Sequence, residues 1–321
     1  MKAPAFSYAR PSRLIDVLAL LEKHGDEARL LAGGQTLMAT LNMRLSEPAL
    51  LIDMQSVAEL KGLQLSGNQL RIGAMVTHSE IESSALVARH APLLTQAAPH
   101  IAHRAIRNLG TFGGSIAYGD PAAEWPACLL ALDGVVIARS LQGERRIAAR
   151  DFFTGLYTTS LAANEIIVAC EVPVATPGRR FAFDELARRH GDYAVVGLAA
   201  SAQFTGEAFD QVRLAWLGVG SMPMRSIATE QLLQGQRMTD VLLAQAVQTL
   251  REELPAEADL THSAAAKQHL AGVMLKRSLH KLIDSAASTS GLHSLAPLGR
   301  GGQSKDTLNK DHHDVTRKVH R

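Results

Sequence analysis

The sequence predicts an α+β protein built from two unequal units. Its 321 residues are about two domains' worth, at roughly 100–200 residues each. In the second half, apolar strand-like runs come first and helical patterns follow. Between the halves lies a breaker cluster, Val172-Pro173-Val174-Ala175-Thr176-Pro177-Gly178, which places a boundary there.

The elements follow in order. Leu14, Val17, Leu18 and Leu21 recur at helical spacing, with Ser12 as the expected N-cap and Gly25 as the stop. Ala28-Arg29-Leu30-Leu31-Ala32 reads as a strand that ends at Gly33-Gly34, and a helix resumes at Thr36-Leu37-Met38-Ala39-Thr40-Leu41. Leu50-Leu51-Ile52-Asp53 is a further strand. Leu63-Gln64-Leu65 and Gln69 to Ala74 form a hairpin about the turn Ser66-Gly67-Asn68. Helices are expected over 79–89, 93–103 and 124–132, and strands over 135–138 and 165–170. Beyond the boundary, 194–204 and 211–219 read as strands of a small sheet. Three helices are expected near 226–234, 239–253 and 262–285. From Ser285 the periodicity fades into a polar tail.

Composition excludes several classes. The chain is 46% apolar and 20% charged, as an ordinary globular protein is. Its 33 basic and 31 acidic residues leave a net charge of +2, which is no footprint for nucleic acid. The two cysteines, Cys128 and Cys170, sit apart in apolar runs. They are expected to be buried thiols in a reducing compartment, and they cannot supply a four-thiolate cluster. No apolar run reaches the roughly 18 residues of a membrane helix, and the first residues lack a secretory signal, so a cytoplasmic location is expected. His312-His313 is either a metal-binding pair or part of the solvated tail.

Chemistry points to two glycine pairs, Ala32-Gly33-Gly34-Gln35-Thr36 and Thr111-Phe112-Gly113-Gly114-Ser115. Each is either a tight turn or a nest of backbone N–H groups that favours an anion such as a pyrophosphate. A helix starting after the loop strengthens the nest, and Thr36 or Ser115 adds a hydroxyl donor. Asp120, followed by Pro121, is either a helix N-cap or an acceptor for sugar or ribityl hydroxyls. Tyr193, at a turn before an apolar strand, either packs in the core or projects onto a flat cofactor. Gly218-Val219-Gly220 begins like a dinucleotide fingerprint, but Pro223 stands where the third glycine belongs, so it reads as a strand end.

Taken together, these stretches resemble the FAD-binding medium subunit of the molybdenum hydroxylases, the carbon monoxide dehydrogenase and xanthine dehydrogenase group. The match runs through Ala32 to Leu37 with Met43-Arg44-Leu45, then Gly73-Ala74-Met75-Val76-Thr77-His78, then Ile106 to Ala117 with Asp120 to Glu124. Gly191-Asp192-Tyr193-Ala194 and Pro223-x-Arg225 extend it, so that it covers roughly residues 1–285 in order. Tyr118 departs from the His or Asn common in the family.

The resemblance implies a two-lobed FAD-binding domain of the PCMH type over 1–176, with lobes of about 1–55 and 56–176. It also implies a smaller C-terminal α+β domain over 177–285, with a three-stranded sheet and helices; 286–321 remains a tail or linker. Residues Ala32, Gly33, Gly34, Gln35 and Thr36 with Thr111, Gly113, Gly114 and Ser115 would cradle the pyrophosphate and ribityl chain. Asp120 would take a ribityl or ribose hydroxyl, Tyr193 would lie by the isoalloxazine ring, and Thr77 and His78 would sit near it. The implied partners are a molybdopterin-binding large subunit and a [2Fe-2S] small subunit, in a dimer of three-chain units. The implied activity is that of an oxidoreductase subunit carrying electrons from the [2Fe-2S] subunit to an external acceptor. The alternatives are a stand-alone FAD-dependent oxidoreductase on the same fold and a scaffold subunit without cofactor.

Overall fold

The computed structural model describes residues 2–290. β1 (Ser7–Ala9), α1 (Leu14–His24), β2 (Ala28–Leu31), α2 (Leu37–Asn42) and β3 (Leu50–Asp53) form the first layer. The strands make a parallel sheet in the order β1-β3-β2, and all four residues of the central β3 are buried. Leu14, Val17, Leu18 and Leu21 are the buried face of α1, and the N–H of Gly25 closes its end on the Leu21 carbonyl. Arg13, not Ser12, is the N-cap; it offers no capping side-chain bond and pairs with Asp16 of the first turn.

The second layer opens with the hairpin β4 (Leu63–Ser66) and β5 (Gln69–Gly73). Six short helices follow: α3 (His78–Ser83), α4 (Ala85–His90), α5 (Pro92–Ala97), α6 (Arg104–Arg107), α7 (Phe112–Tyr118) and α8 (Glu124–Ala131). The helix expected over 79–89 is two helices, because Ser84 leaves the helical conformation and its hydroxyl accepts the Val87 N–H to cap α4. The helix expected over 93–103 stops earlier, passing through a 3-10 turn at Ala98–His100. β6 (Val135–Ser140), β7 (Gly143–Ala148), the small pair β8 (Phe153–Gly155) and β9 (Thr158–Thr159), and β10 (Ile166–Pro173) complete the layer. The order β4-β5-β10-β6-β7 is antiparallel at every step. β7 was not read from the sequence. It is a charged edge strand whose Arg145 and Arg146 pair with Glu165 and Glu171, so apolar alternation is missing.

After the breaker cluster come β11 (Arg180–Ala187), β12 (Ala194–Thr205), β13 (Ala208–Leu217) and β14 (Met224–Arg225). These three long antiparallel strands carry β14 as a two-residue edge. β11 also escaped sequence reading, since Asp184 and Glu185 interrupt its apolar pattern. α9 (Ile227–Leu233), α10 (Asp240–Glu253) and α11 (Ala264–Ser290) follow, and Gly218 ends β13 as expected. The first residues of the expected tail continue α11; the rest of it, with His312-His313, lies outside the described residues.

α8 is one of the helices that join the two halves, with α5, whose Gln96 side chain donates to the Phe181 carbonyl of β11. All eight residues of α8 are buried, which fits a helix that is apolar on every face after Glu124. On one side it packs with Phe112 and Phe152; on the other, with Ala199, Ala215 and Leu217 of the second sheet. The Ser201 hydroxyl donates to the Ala131 carbonyl at 2.9 Å across this contact. The opposite face of the second sheet, with Val196, Leu198 and Trp216, packs on α10 and α11. A sheet covered on both faces has no polar side, which explains the unbroken apolar run of β12. Cys128 and Cys170 are buried free thiols, both pushed up by burial.

Arg225 locks the edge of this sheet, pairing with Glu230 and, at 3.0 Å, with Asp133 in the turn after α8. Glu230 is 6% exposed, so removing the guanidinium leaves a buried carboxylate unpaired. Arg225→Met is expected to lower stability by about 3 kcal/mol in urea unfolding; an unchanged midpoint would show that Glu230 needs no partner.

Candidate functional site

The two glycine loops touch. β2 ends at Leu31, and the chain turns so that a Cβ on Gly33 would lie 2.1 Å from the Leu109 carbonyl oxygen and 2.7 Å from the Gly110 Cα. Backbone therefore rests on backbone, and no larger residue fits. Gly34 takes a φ of +70°, which turns the loop into α2. The second loop is stitched to the chain after β5: His78 N–H donates to the Gly110 carbonyl (3.0 Å), Phe112 N–H to Val76 (2.8 Å) and Gly113 N–H to Ala74 (2.9 Å).

A cleft of about 350 Å³ opens along this seam, and residues 191–193 from the second sheet border it. Eleven of the thirteen residues predicted from the sequence line it: Ala32, Gly33, Gly34, Gln35, Thr36, His78, Thr111, Gly114, Ser115, Asp120 and Tyr193. Two do not. Gly113 is packed against Ala74, where a Cβ would meet the Ala74 Cβ at 2.5 Å. Thr77 caps α3, its hydroxyl accepting the Glu80 N–H while Glu80 reaches back to the Thr77 N–H. Both residues hold the seam from behind.

The loops divide the donor work. At the start of α7 the N–H groups of Phe112, Gly113 and Gly114 are consumed, the last by the Thr111 hydroxyl at 3.1 Å. At the start of α2, in contrast, Gly34, Gln35, Thr36 and Leu37 N–H groups donate to no acceptor among the described residues. Thr36 makes no capping bond of its own. The open nest is therefore the first glycine loop, and the second presents Ser115 to the same cleft.

Asp120 does not cap a helix. Its Oδ1 accepts the Ala122 N–H at 2.9 Å, and α8 begins only at Glu124 with Ala123 as N-cap. Burial pushes its carboxyl up. Tyr193 is 69% exposed at the cleft, which excludes the core alternative. Tyr118 also lines the cleft and packs at a tilt against Tyr157, with ring centroids 5.0 Å apart.

His78 is held in one tautomer. Its Nδ1 accepts the Trp125 indole N–H at 2.9 Å, so the neutral ring carries its proton on Nε2, against Gly110. Burial and the Arg107 charge push it down to about 4. Arg107 in turn pairs with Glu82 at 2.8 Å. Sequence reading missed Glu124, a buried residue of the cleft that burial, Glu185 and Asp120 push up to about 8. Its signal was a lone carboxylate at the head of an otherwise apolar helix.

The cleft suits FAD by its donors. Four successive N–H groups and the hydroxyls of Thr36 and Ser115 offer neutral donors to a pyrophosphate or ribityl chain. Gly33 and Gly114 leave the wall without side chains, and Tyr193 and Tyr118 offer flat apolar faces to a ring.

Comparison with known proteins agrees in both halves. A family described as the FAD binding domain in molybdopterin dehydrogenase matches residues 4–175. One described as the CO dehydrogenase flavoprotein C-terminal domain matches residues 181–282. The 6-hydroxypseudooxynicotine dehydrogenase complex subunit alpha of Paenarthrobacter nicotinovorans is 37% identical over 290 residues, 90% of this chain and 98% of its own. The carbon monoxide dehydrogenase medium chain of Hydrogenophaga pseudoflava is 35% identical over 281 residues, 87% of this chain and 98% of its own. A solved structure of carbon monoxide dehydrogenase from that organism, lacking the Mo-pyranopterin moiety, superposes with a TM-score of 0.86 at 34% identity. It covers 88% of this chain and 98% of that chain.

The depressed His78 makes the site acid-sensitive. Below its free value of 6.5 the unfolded chain takes up a proton that the folded ring refuses until about 4. Its stability contribution is thus complete above 6.5 and is lost as pH falls toward 4. The loss is on the order of 3 kcal/mol. Urea unfolding across that window should show this slope in the native chain and its absence in His78→Gln; equal slopes would place the sensitivity elsewhere.

Proposed function

This chain belongs to the family of FAD-binding medium subunits of the molybdopterin dehydrogenases, and from that premise we propose that it carries electrons from a [2Fe-2S] subunit to an external acceptor. The carrying observation is the open donor run Gly34 to Leu37, in one cleft with Ser115, Asp120 and Tyr193. In this reading Ala32 to Thr36, Thr111, Gly114 and Ser115 hold the pyrophosphate and ribityl chain, and Asp120 takes a ribityl or ribose hydroxyl. Tyr193 lies beside the ring, and the His78 Nε2–H is a fixed donor. Gly113 and Thr77 serve the cofactor indirectly, by fixing the loop behind it.

Bound FAD supplies a carrier that exchanges electrons singly or in pairs; the protein binds, orients and shields it. Its cofactor domain is 1–176, with lobes meeting near residue 55, and 177–285 closes over the cleft with Tyr193.

The partners in this reading are a molybdopterin-binding large subunit and a [2Fe-2S] small subunit, in a dimer of three-chain units. Among the described residues there is no group of three metal-ligating side chains, and in this reading the cluster belongs to the small subunit. Leu109, Met43 and Leu45, on the segments that carry the glycine loops, are each more than half exposed and offer that chain an apolar landing. Among the described residues no helix is long and apolar enough to cross a membrane.

The purified chain is expected to show a flavin absorption band and to release FAD at about one per chain. Ser115→Asp adds a negative charge to the cleft and is expected to weaken FAD at least about tenfold with an unchanged circular dichroism spectrum. A folded chain that refuses added FAD would overturn the site; substrate turnover by this chain alone would overturn the subunit role. Tyr193→Ala, at an exposed position, is expected to shift stability by less than about 0.5 kcal/mol while altering the fluorescence of bound FAD; unaltered fluorescence would remove Tyr193 from the ring's surroundings.

A further inference from the structure

We propose that Glu124 serves the cleft as a protonated carboxylic acid, a hydrogen-bond donor to the bound FAD, and that its ionisation expels the cofactor. The proposal rests on the FAD reading of the same cleft and deepens it.

Glu124 is the first residue of α8, lines the cleft and is 9% exposed. Its carboxyl meets its own backbone N–H and no other donor among the described residues. The ionisable groups that face it are Asp120 from the preceding loop, Cys128 one turn along α8, Glu185 from β11 and Tyr193 from the loop before β12. Each of these is neutral or negative, so none stabilises a second carboxylate. The amino end of α8 favours the ionised form, but burial beside two further carboxyls opposes it more strongly.

Burial is the main reason the proton stays, and Glu185 adds to it. Its Oε2 is buried with no hydrogen-bond partner. Burial pushes this carboxyl up to about 7, and a charge on either carboxyl opposes a second one on its neighbour.

The ligand explains why protonation matters. FAD brings a doubly charged pyrophosphate and a ring edged with carbonyl and nitrogen acceptors. A protonated carboxyl donates to such acceptors, whereas a carboxylate can only accept and repels the phosphates. If FAD binds only the protonated form, its apparent dissociation constant is flat below the ionisation and rises about tenfold per pH unit above it.

The test uses the full chain, stripped of FAD and titrated with it by flavin fluorescence from about pH 6.5 to about pH 9.5, alongside Glu124→Gln and Glu185→Gln. The native chain is expected to bind with a constant affinity near neutrality and about tenfold more weakly by about pH 9. Glu124→Gln keeps a donor and loses the titration, so its affinity should stay flat across the whole pH range. It should also lose the infrared band of a buried protonated carboxyl. Glu185→Gln removes the neighbouring charge and should move the break to lower pH. A break that persists unchanged in Glu124→Gln overturns the proposal and leaves the FAD site standing. Should that variant fail to fold, an unmoved break in Glu185→Gln overturns it equally. Absence of FAD binding at every pH overturns the cleft reading and this proposal together.

Discussion

The site depends on the Cα of Gly33 lying against the Leu109 carbonyl. That approach brings a loop of the parallel sheet onto a loop of the antiparallel layer, and the cleft is the space along their line of contact. Everything else in the site is arranged to keep it. Gly110 must accept the His78 ring over its Cα, Gly113 must accept Ala74, and three ladder-like hydrogen bonds pull residues 110–113 onto residues 74–78. A methyl group at Gly33 would separate the layers by more than side chains can absorb, because both contact partners are backbone.

The electrostatics of the cleft follow from the same economy. Neither lysine nor arginine lines it, whereas Asp120, Glu124 and Asp192 do. An anion there is held by oriented N–H groups and hydroxyls instead of by ionic partners. Such donors hold their direction because they belong to fixed backbone. Neighbouring carboxyls are then spent on hydrogen bonds, as Asp120 is on Ala122, or pushed up by burial, as Glu124 is. His78 obeys the same logic from the cationic side: the Trp125 indole takes its free nitrogen, Arg107 discourages a second proton, and one neutral donor remains.

Local physics was legible in the sequence and long-range contact was not. The spacing of Leu14, Val17, Leu18 and Leu21 and the Ser66-Gly67-Asn68 turn specify their elements without help. β7 and β11 were hidden because their ladders are made by backbone while their side chains carry charge for ion pairs elsewhere, Arg145 to Glu165 and Asp184 to Lys281. The glycine pairs were legible as candidate nests, but not how they share the labour. Only the structure distinguishes Gly34, whose N–H is open, from Gly113, whose N–H is consumed. The sequence places Glu124 at the start of a helix and in the Asp120 to Glu124 stretch, but not its burial beside Glu185, which arrives on a strand that the pattern does not reveal.

α8 ties the two halves of the chain together. Its first residue is in the cleft, its last carbonyl receives Ser201, and the turn beyond it gives Asp133 to Arg225. Trp125, fully buried beside Glu124, packs on Phe112 and fixes the His78 tautomer. A displacement of the second sheet therefore cannot be confined to that sheet: it moves Glu185 against Glu124 and shifts the helix that orients His78. Because α8 is packed on every side, it has no soft face on which to absorb such a shift. The residues bordering the cleft from the second half, Gly191, Asp192 and Tyr193, sit at the start of the strand that packs on this helix. A shift of that strand would therefore be felt both at Tyr193 and at the buried Glu124.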